Sequence, residues 1–193
     1  MRLFVAINMP PHLQAAIYTA TAELRVVGEG ISWTPEERIH LTLQFLGDVE
    51  ESALPPLRDA LEGLAWRRPM PWVSIGGIGA FPSFTRPRVV WMGVANEPLL
   101  EAIQRDVATT CARLGYEPDA RPFRPHLTIG RVRRRLSASE AKRLEDAAGR
   151  IDFQGGFVVS TVDLMQSIAG KGGHRYELLL ATPLDPARPL DRV

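Results

Sequence analysis

With a single cysteine, Cys111, the chain offers neither an internal disulfide nor a cysteine-based metal site, which suits a reducing, cytoplasmic setting. No apolar run approaches the roughly 18 residues of a membrane span. The opening MRLFVAINMPP has only a short apolar stretch that closes on Pro-Pro, without the cleavage pattern of a signal peptide. Charge of one sign is not in excess either: 23 Lys and Arg face 22 Asp and Glu, for a net charge of +1. Nothing global therefore demands an acidic partner, and any attraction to phosphate has to come from a local cluster. Low-complexity tracts and flexible linkers are missing too. The 193 residues are expected to form one domain (1–193) of two interlocked lobes. A hydrophobic fraction of 45% and a charged fraction of 23% are ordinary for a globular protein with a sizeable core.

Histidine is scarce as well, and its placement is informative. The chain has four, and two of them stand in the same tripeptide, in IHLTL (39–43) and again in PHLTIGR (125–131). With ten threonines among 193 residues, a threonine two places beyond a given histidine is expected about one time in twenty. Two such events among four histidines, each with leucine between and an aliphatic residue after, point to a shared task. The spacing from His40 to His126 is 86 residues (126 − 40), which suggests an internal duplication.

Four amphipathic helices are expected. One opens at Pro10-Pro11 and carries Leu13, Ala16, Ile17, Ala20 and Leu24 until Gly28. A second covers 54–64, and a third covers 98–114 with Gly115 at its C-terminal cap. The fourth starts at the capping-box pattern Ser137-Ala-Ser-Glu140 and stops at Gly149. Strands are expected at 3–7, 39–46, 71–79, 87–95, 125–133, 156–167 and 175–182.

Side chains alternate along a strand. His40 and Thr42 therefore share one face, and Leu41 and Leu43 the other. His126 and Thr128 likewise oppose Leu127 and Ile129. The aliphatic face needs a core, which the helices supply, and the two polar faces are free to meet in one cleft. Two imidazoles that titrate near pH 6.5 divide proton removal and proton donation between them. Two hydroxyls donate to the non-bridging oxygens of a phosphate. That toolkit suits acid–base cleavage of a phosphoester whose own nucleophile is already used, such as a cyclic phosphodiester awaiting water. The motifs carry no carboxylate or cysteine at ligand spacing. Asp48 and Glu50 follow the first motif and nothing comparable follows the second, so neither a metal nor another cofactor is expected.

Twin His-x-Thr-hydrophobic motifs resemble those of the two-histidine (2H) phosphoesterase superfamily. The segment RLFVAI, the run from Trp33 through HLTLQFLGDV, and the segments FPSFTRPRVVWMGV and RPFRPHLTIGRVR, with a looser match at HRYELLLATPL, resemble its RNA 2′,3′-cyclic phosphodiesterase (2′-5′ RNA ligase-like) branch. The resemblance implies an α+β, bilobal fold: two pseudo-symmetric antiparallel sheets backed by helices around a central cleft. It implies a metal-independent enzyme that hydrolyses 2′,3′-cyclic phosphate ends of RNA or oligonucleotides to 2′-phosphomonoesters. In that reading His40 is the proton donor and His126 the proton acceptor, while Thr42, Thr128 and Arg131 bind substrate phosphate. A cytoplasmic monomer away from membranes is the expected state.

Other residues are less determined. Arg131 lies three places after Thr128, so a regular strand would turn it from the cleft, and a bulge or bend near Gly130 would be needed to bring it back. Arg133, Arg134 and Arg135 could follow RNA backbone, although a charged turn before a helix suits the last two better. Alternation aims Phe45 at the core. Phe45, Trp33 and Phe123 are all candidates to stack on a base, and the residues do not choose among them. His12 and His174 have no threonine partner and read as surface residues. The loop 170–173, with Lys171, reads as a hairpin connection, and Cys111 falls on an apolar helical stripe. Beside the favoured hydrolase stand a related 2H enzyme acting on another cyclic nucleotide or a 2′–5′ linkage, including ligation, and an RNA-binding module without turnover.

Overall fold

The apolar run at the start forms β1 (Arg2–Asn8), whose central residues are buried on both faces. Helix α1 (Pro11–Ala20) follows and stops short of the expected end. At Thr21 the hydroxyl donates to the Ile17 carbonyl (2.8 Å), and the chain restarts in the short α2 (Ala22–Arg25). This computed structural model describes residues 1–27, 30–64, 69–170 and 173–185, so Gly28, the expected terminator, and Lys171 lie outside the described residues. The remaining elements are β2 (Ile31–Trp33), β3 (His40–Asp48), α3 (Leu54–Glu62), β4 (Trp72–Phe81), β5 (Val89–Val94), α4 (Pro98–Arg113), β6 (His126–Val132), α5 (Ala138–Gly149), β7 (Gln154–Val158), β8 (Thr161–Gly170) and β9 (Gly173–Pro183). Gly115 takes φ +89° just past α4, where a left-handed residue closes a helix, and the Ser137–Glu140 capping box forms at α5.

The nine strands among the described residues pair into one antiparallel sheet in the order β7-β4-β5-β6-β3-β1-β8-β9, with β2 also on β6. The run 156–167, which reads as one strand, is two. Residues 159 and 160 carry the chain from β7 at one edge to β8 at the far side, and the Val159 amide bonds the Pro71 carbonyl (2.8 Å) on the way. Six strand spacings separate β7 from β8 in that order, about 29 Å if flat. The three residue steps from 158 to 161 reach at most about 11 Å. The sheet is therefore strongly curled.

The expected α+β architecture is present. Its two four-stranded halves, β9-β8-β1-β3 and β6-β5-β4-β7, meet at β3 and β6, and helices back one face. On that face Leu13, Ile17, Leu57, Leu61, Ile103, Val107, Cys111 and Leu144 pack against Val5, Leu41, Leu43, Ile75, Val90, Met92, Leu127 and Leu164 in one continuous core. Burial pushes the Cys111 thiol up to about 11. A second, small cluster of Phe4, Ala6, Met165 and Tyr176 lies on the opposite face. Among the described residues no helix is long and apolar enough to cross a membrane.

Candidate active site

The halves join at a single register pair, Leu41 opposite Leu127. These are the residues between histidine and threonine in the two motifs. In an antiparallel pair, opposed side chains point to the same face. Leu41 and Leu127 are buried in the helix-backed core, so His40, Thr42, His126 and Thr128 all emerge on the other face. One local two-fold relates them, with His40 beside Thr128 and Thr42 beside His126.

The symmetry extends further. Each motif is followed by a β-bulge on its aliphatic residue. Against β1 the register passes from Thr42 to Gln44 and skips Leu43, and against β5 it passes from Thr128 to Gly130 and skips Ile129. Burial over the first six residues of β3 and β6 follows the same pattern, ending on an exposed residue at Phe45 and at Arg131. Both bulges reverse the alternation. Arg131 is thereby returned to the cleft face, where it stands opposite Val89. The same reversal overturns the expectation for Phe45. It pairs with Phe4 on the cleft face and is 62% exposed rather than packed in the core.

Each imidazole is held at Nδ1 by a backbone carbonyl two residues earlier in the chain. His40 Nδ1 donates to the Arg38 carbonyl and His126 Nδ1 to the Arg124 carbonyl, both at 2.7 Å. A carbonyl only accepts, so the ring proton sits on Nδ1 and each neutral imidazole presents its Nε2 lone pair. Thr42 Oγ donates to His40 Nε2 at 3.1 Å. Aromatic rings wall both sites. Phe4 (5.0 Å) and Tyr176 (5.2 Å, edge-on) flank His40, while Phe81 (5.0 Å, edge-on) and Trp91 (6.5 Å) flank His126. Burial pulls both imidazoles below the ordinary histidine value. The carbonyl bonds oppose it, Arg131 adds to it at both, and His126 adds to it at His40. Arg131 thus acts on both rings and does not by itself separate acid from base.

The cleft runs past Thr42 and Phe45 to the 117–124 segment and α4, lined by seven arginines and only two acids, Glu117 and Asp119. Arg121 pairs with Asp119, whereas Arg86, Arg88, Arg105, Arg113, Arg124 and Arg131 make no ion pair among the described residues. This is the local cationic cluster that a net charge of +1 conceals. The arginine run after Arg131 contributes differently: Arg133 leans on Ser32 Oγ (3.4 Å) and Arg134 bonds Glu140 (2.6 Å), so the latter staples the start of α5.

Several residues on the cleft face carry no motif. Asn8, opposite His40, donates to the buried Asp163 (2.7 Å), whose carboxyl is pushed up by burial. Phe4, Tyr176, Phe81 and Trp91 wall the imidazoles. For these the available signal was weak: Asn8 is a polar residue closing an apolar strand, and Asp163 interrupts another. Trp33 covers Gly130 on the core side, and Phe123 lines the cleft but packs on the core. His12 and His174 are exposed as expected. No three His, Cys, Asp or Glu side chains come together as a metal site among the described residues.

Comparison with known proteins gives a consistent result. Residues 9–171 match the model of the 2′-5′ RNA ligase superfamily. A Geobacillus stearothermophilus protein named RNA 2′,3′-cyclic phosphodiesterase is 35% identical over 128 residues, which cover 66% of this chain and 41% of that protein. A Methanocaldococcus jannaschii protein of the same name is 30% identical over 182 residues, covering 93% of this chain and 98% of that one. The crystal structure of E. coli LigT complexed with 3′-AMP superposes with a TM-score of 0.77 at 26% identity, covering 95% of this chain and 97% of that one.

Proposed function

The chain belongs to the 2′-5′ RNA ligase superfamily of two-histidine phosphoesterases, and on that premise we propose that it is an RNA 2′,3′-cyclic phosphodiesterase yielding 2′-phosphate ends. The observation that carries this reading is the Leu41–Leu127 register, which sets two imidazoles and two hydroxyls on one face with the same atoms presented. The names of the relatives supply the substrate class, and the arginine-lined cleft supports a polynucleotide end.

Thr42, Thr128 and Arg131 hold the non-bridging oxygens of the cyclic phosphate. His126 Nε2 takes a proton from water as its oxygen bonds to phosphorus. The bond from phosphorus to the 3′ oxygen breaks, and His40 Nε2–H protonates that oxygen. The reaction leaves His126 charged and His40 neutral, and proton exchange with solvent restores the start. The protonation states follow from charge. Burial disfavours two imidazolium ions, and the single negative charge of a cyclic phosphodiester restores one of them. Acid and base are both supplied by the chain, so the route requires no metal.

His40→Ala and His126→Ala should each lower turnover by about 10²–10⁴-fold while the fold persists, since neither side chain belongs to the main core. A variant that keeps near-normal turnover removes its histidine from the mechanism.

A further inference from the structure

The twin motifs account for only part of the cleft. Its volume, about 1680 Å³, exceeds the roughly 300–1,000 Å³ of a small-molecule site, so it has room for more than one nucleoside. Its charge is also one-sided. The first half lines it with Thr42, Leu43, Gln44 and Phe45, all uncharged, whereas all seven arginines fall between residues 86 and 131. Two of them stand on a helix, apart from both motif strands. Helix α4 presents Gln104, Arg105, Ala108, Thr109, Ala112 and Arg113 to the cleft, a stripe at helical spacing, while Ile103, Val107 and Cys111 anchor its other side in the core. Small residues occupy the middle of that stripe and an arginine stands towards each end.

Neither arginine is spent on the helix's own acids. Glu101, four residues before Arg105, accepts from Asn96 instead (2.6 Å), and Arg105 and Arg113 make no ion pair among the described residues. Arg113 ends the helix, where a cation suits the dipole, but Arg105 in mid-helix has no such local reason. The Gln44 amide donates to the Tyr116 carbonyl (2.8 Å), which ties the chain just past α4 to the strand of the first motif. From that anchored end to Arg105 the stripe covers eight residues, about 12 Å along the axis, too far for one phosphate to bridge both guanidinium groups.

We propose that this face of α4 is a second binding site, where Arg105 and Arg113 hold two phosphates of the single-stranded RNA backbone upstream of the cyclic end. The inference rests on the phosphodiesterase reading above. Two guanidinium groups with no aromatic ring between them engage charge and carry no sequence information. The motifs process the end, and α4 makes the enzyme favour an end that belongs to a chain.

The test measures kcat/KM against salt for wild type, R105A/R113A, R105K/R113K and R58A. The substrates are adenosine 2′,3′-cyclic phosphate and a single-stranded hexanucleotide with the same terminal nucleotide. Wild type should prefer the hexanucleotide, with the steeper salt dependence. R105A/R113A should reduce that preference and flatten the hexanucleotide slope by about 1.4, two contacts at about 0.7 each, which is about 7-fold between 50 and 200 mM salt. R105K/R113K keeps the charge and should keep most of the slope. R58A, an exposed arginine on α3 outside the cleft, should behave as wild type. Uridine or adenosine upstream should give the same loss. Thermal unfolding of R105A/R113A should match wild type, since both side chains are exposed and alanine favours a helix. An unchanged preference in R105A/R113A overturns the proposal, as does an equal loss on both substrates, a loss confined to one upstream base, or the same loss in R58A. If wild type turns over neither substrate, the phosphodiesterase reading falls and the α4 site with it. If wild type turns over both with equal kcat/KM and parallel salt slopes, only the α4 site falls.

Discussion

Truncating the leucine at the junction of the halves tests what holds the two motifs together. Leu127 is fully buried and Leu41 nearly so (0% and 1% exposed), and their pairing is the only register contact between β3 and β6. Leu127→Ala removes buried methyl groups from a position flanked by β5 on one side and β3 on the other, where the backbone has little room to collapse. The expected loss is about 2–5 kcal/mol, which for a chain of this size lowers Tm by about 4–20 °C. Leu41→Ala should behave alike. As cross-strand neighbours, the two should couple, so the double variant departs from additivity by about 0.5–3 kcal/mol. Activity should suffer beyond stability. In urea-free buffer at low temperature, where the variant is folded, a shift of about 1 Å between His40 and His126 should reduce kcat by about 10²-fold. Chemical unfolding and steady-state turnover on the same samples check both. A variant destabilised as expected but turning over at the wild-type rate would refute the idea that this one pair sets the distance between the imidazoles.

The rate should follow a bell-shaped pH curve, because one imidazole must be neutral and the other charged. Both lie below the ordinary 6.5 in the free protein, so the kcat/KM optimum should fall on the acid side of that value. The kcat optimum should lie higher, since bound phosphate favours the charged acid. The same shifts carry a stability sign: unfolded histidines take up protons first, so stability falls as pH drops through 6.5 towards the folded values, and urea titrations at pH 7 and 5 measure it. Arg131→Ala should cut kcat by about 10²-fold, and Arg131→Lys, which keeps the charge without the guanidinium fork, should fall between; equal rates in all three would remove Arg131 from the phosphate site.

What the sequence made legible, and what it hid, divides along local and non-local causes. The His-x-Thr alternation and the leucine between are properties of one strand, and they survive intact in the fold. The capping box at Ser137 and the helical stripe of α4 are equally local. The bulges at Leu43 and Ile129 are not. They arise where β3 meets β1 and β6 meets β5, from residues far away in the chain, so alternation alone sent Phe45 to the core and Arg131 away from the cleft. The break at 159–160 exists because the curled sheet brings its two ends together, a constraint that no apolar run announces. Strand β2 has three residues, too few for any period. The Asn8–Asp163 bond spans 155 positions and could not be anticipated from either residue.

The most direct test of the acid–base account is hydrolysis of adenosine 2′,3′-cyclic phosphate by protein dialysed against a strong chelator, with the products separated by chromatography. With His126 activating water and His40 releasing the 3′ oxygen, turnover should persist and the 2′-monophosphate should be the sole product. Loss of turnover on chelation, restored by zinc or manganese, would contradict the two-histidine mechanism, and a dominant 3′-monophosphate would contradict the orientation assigned to the substrate.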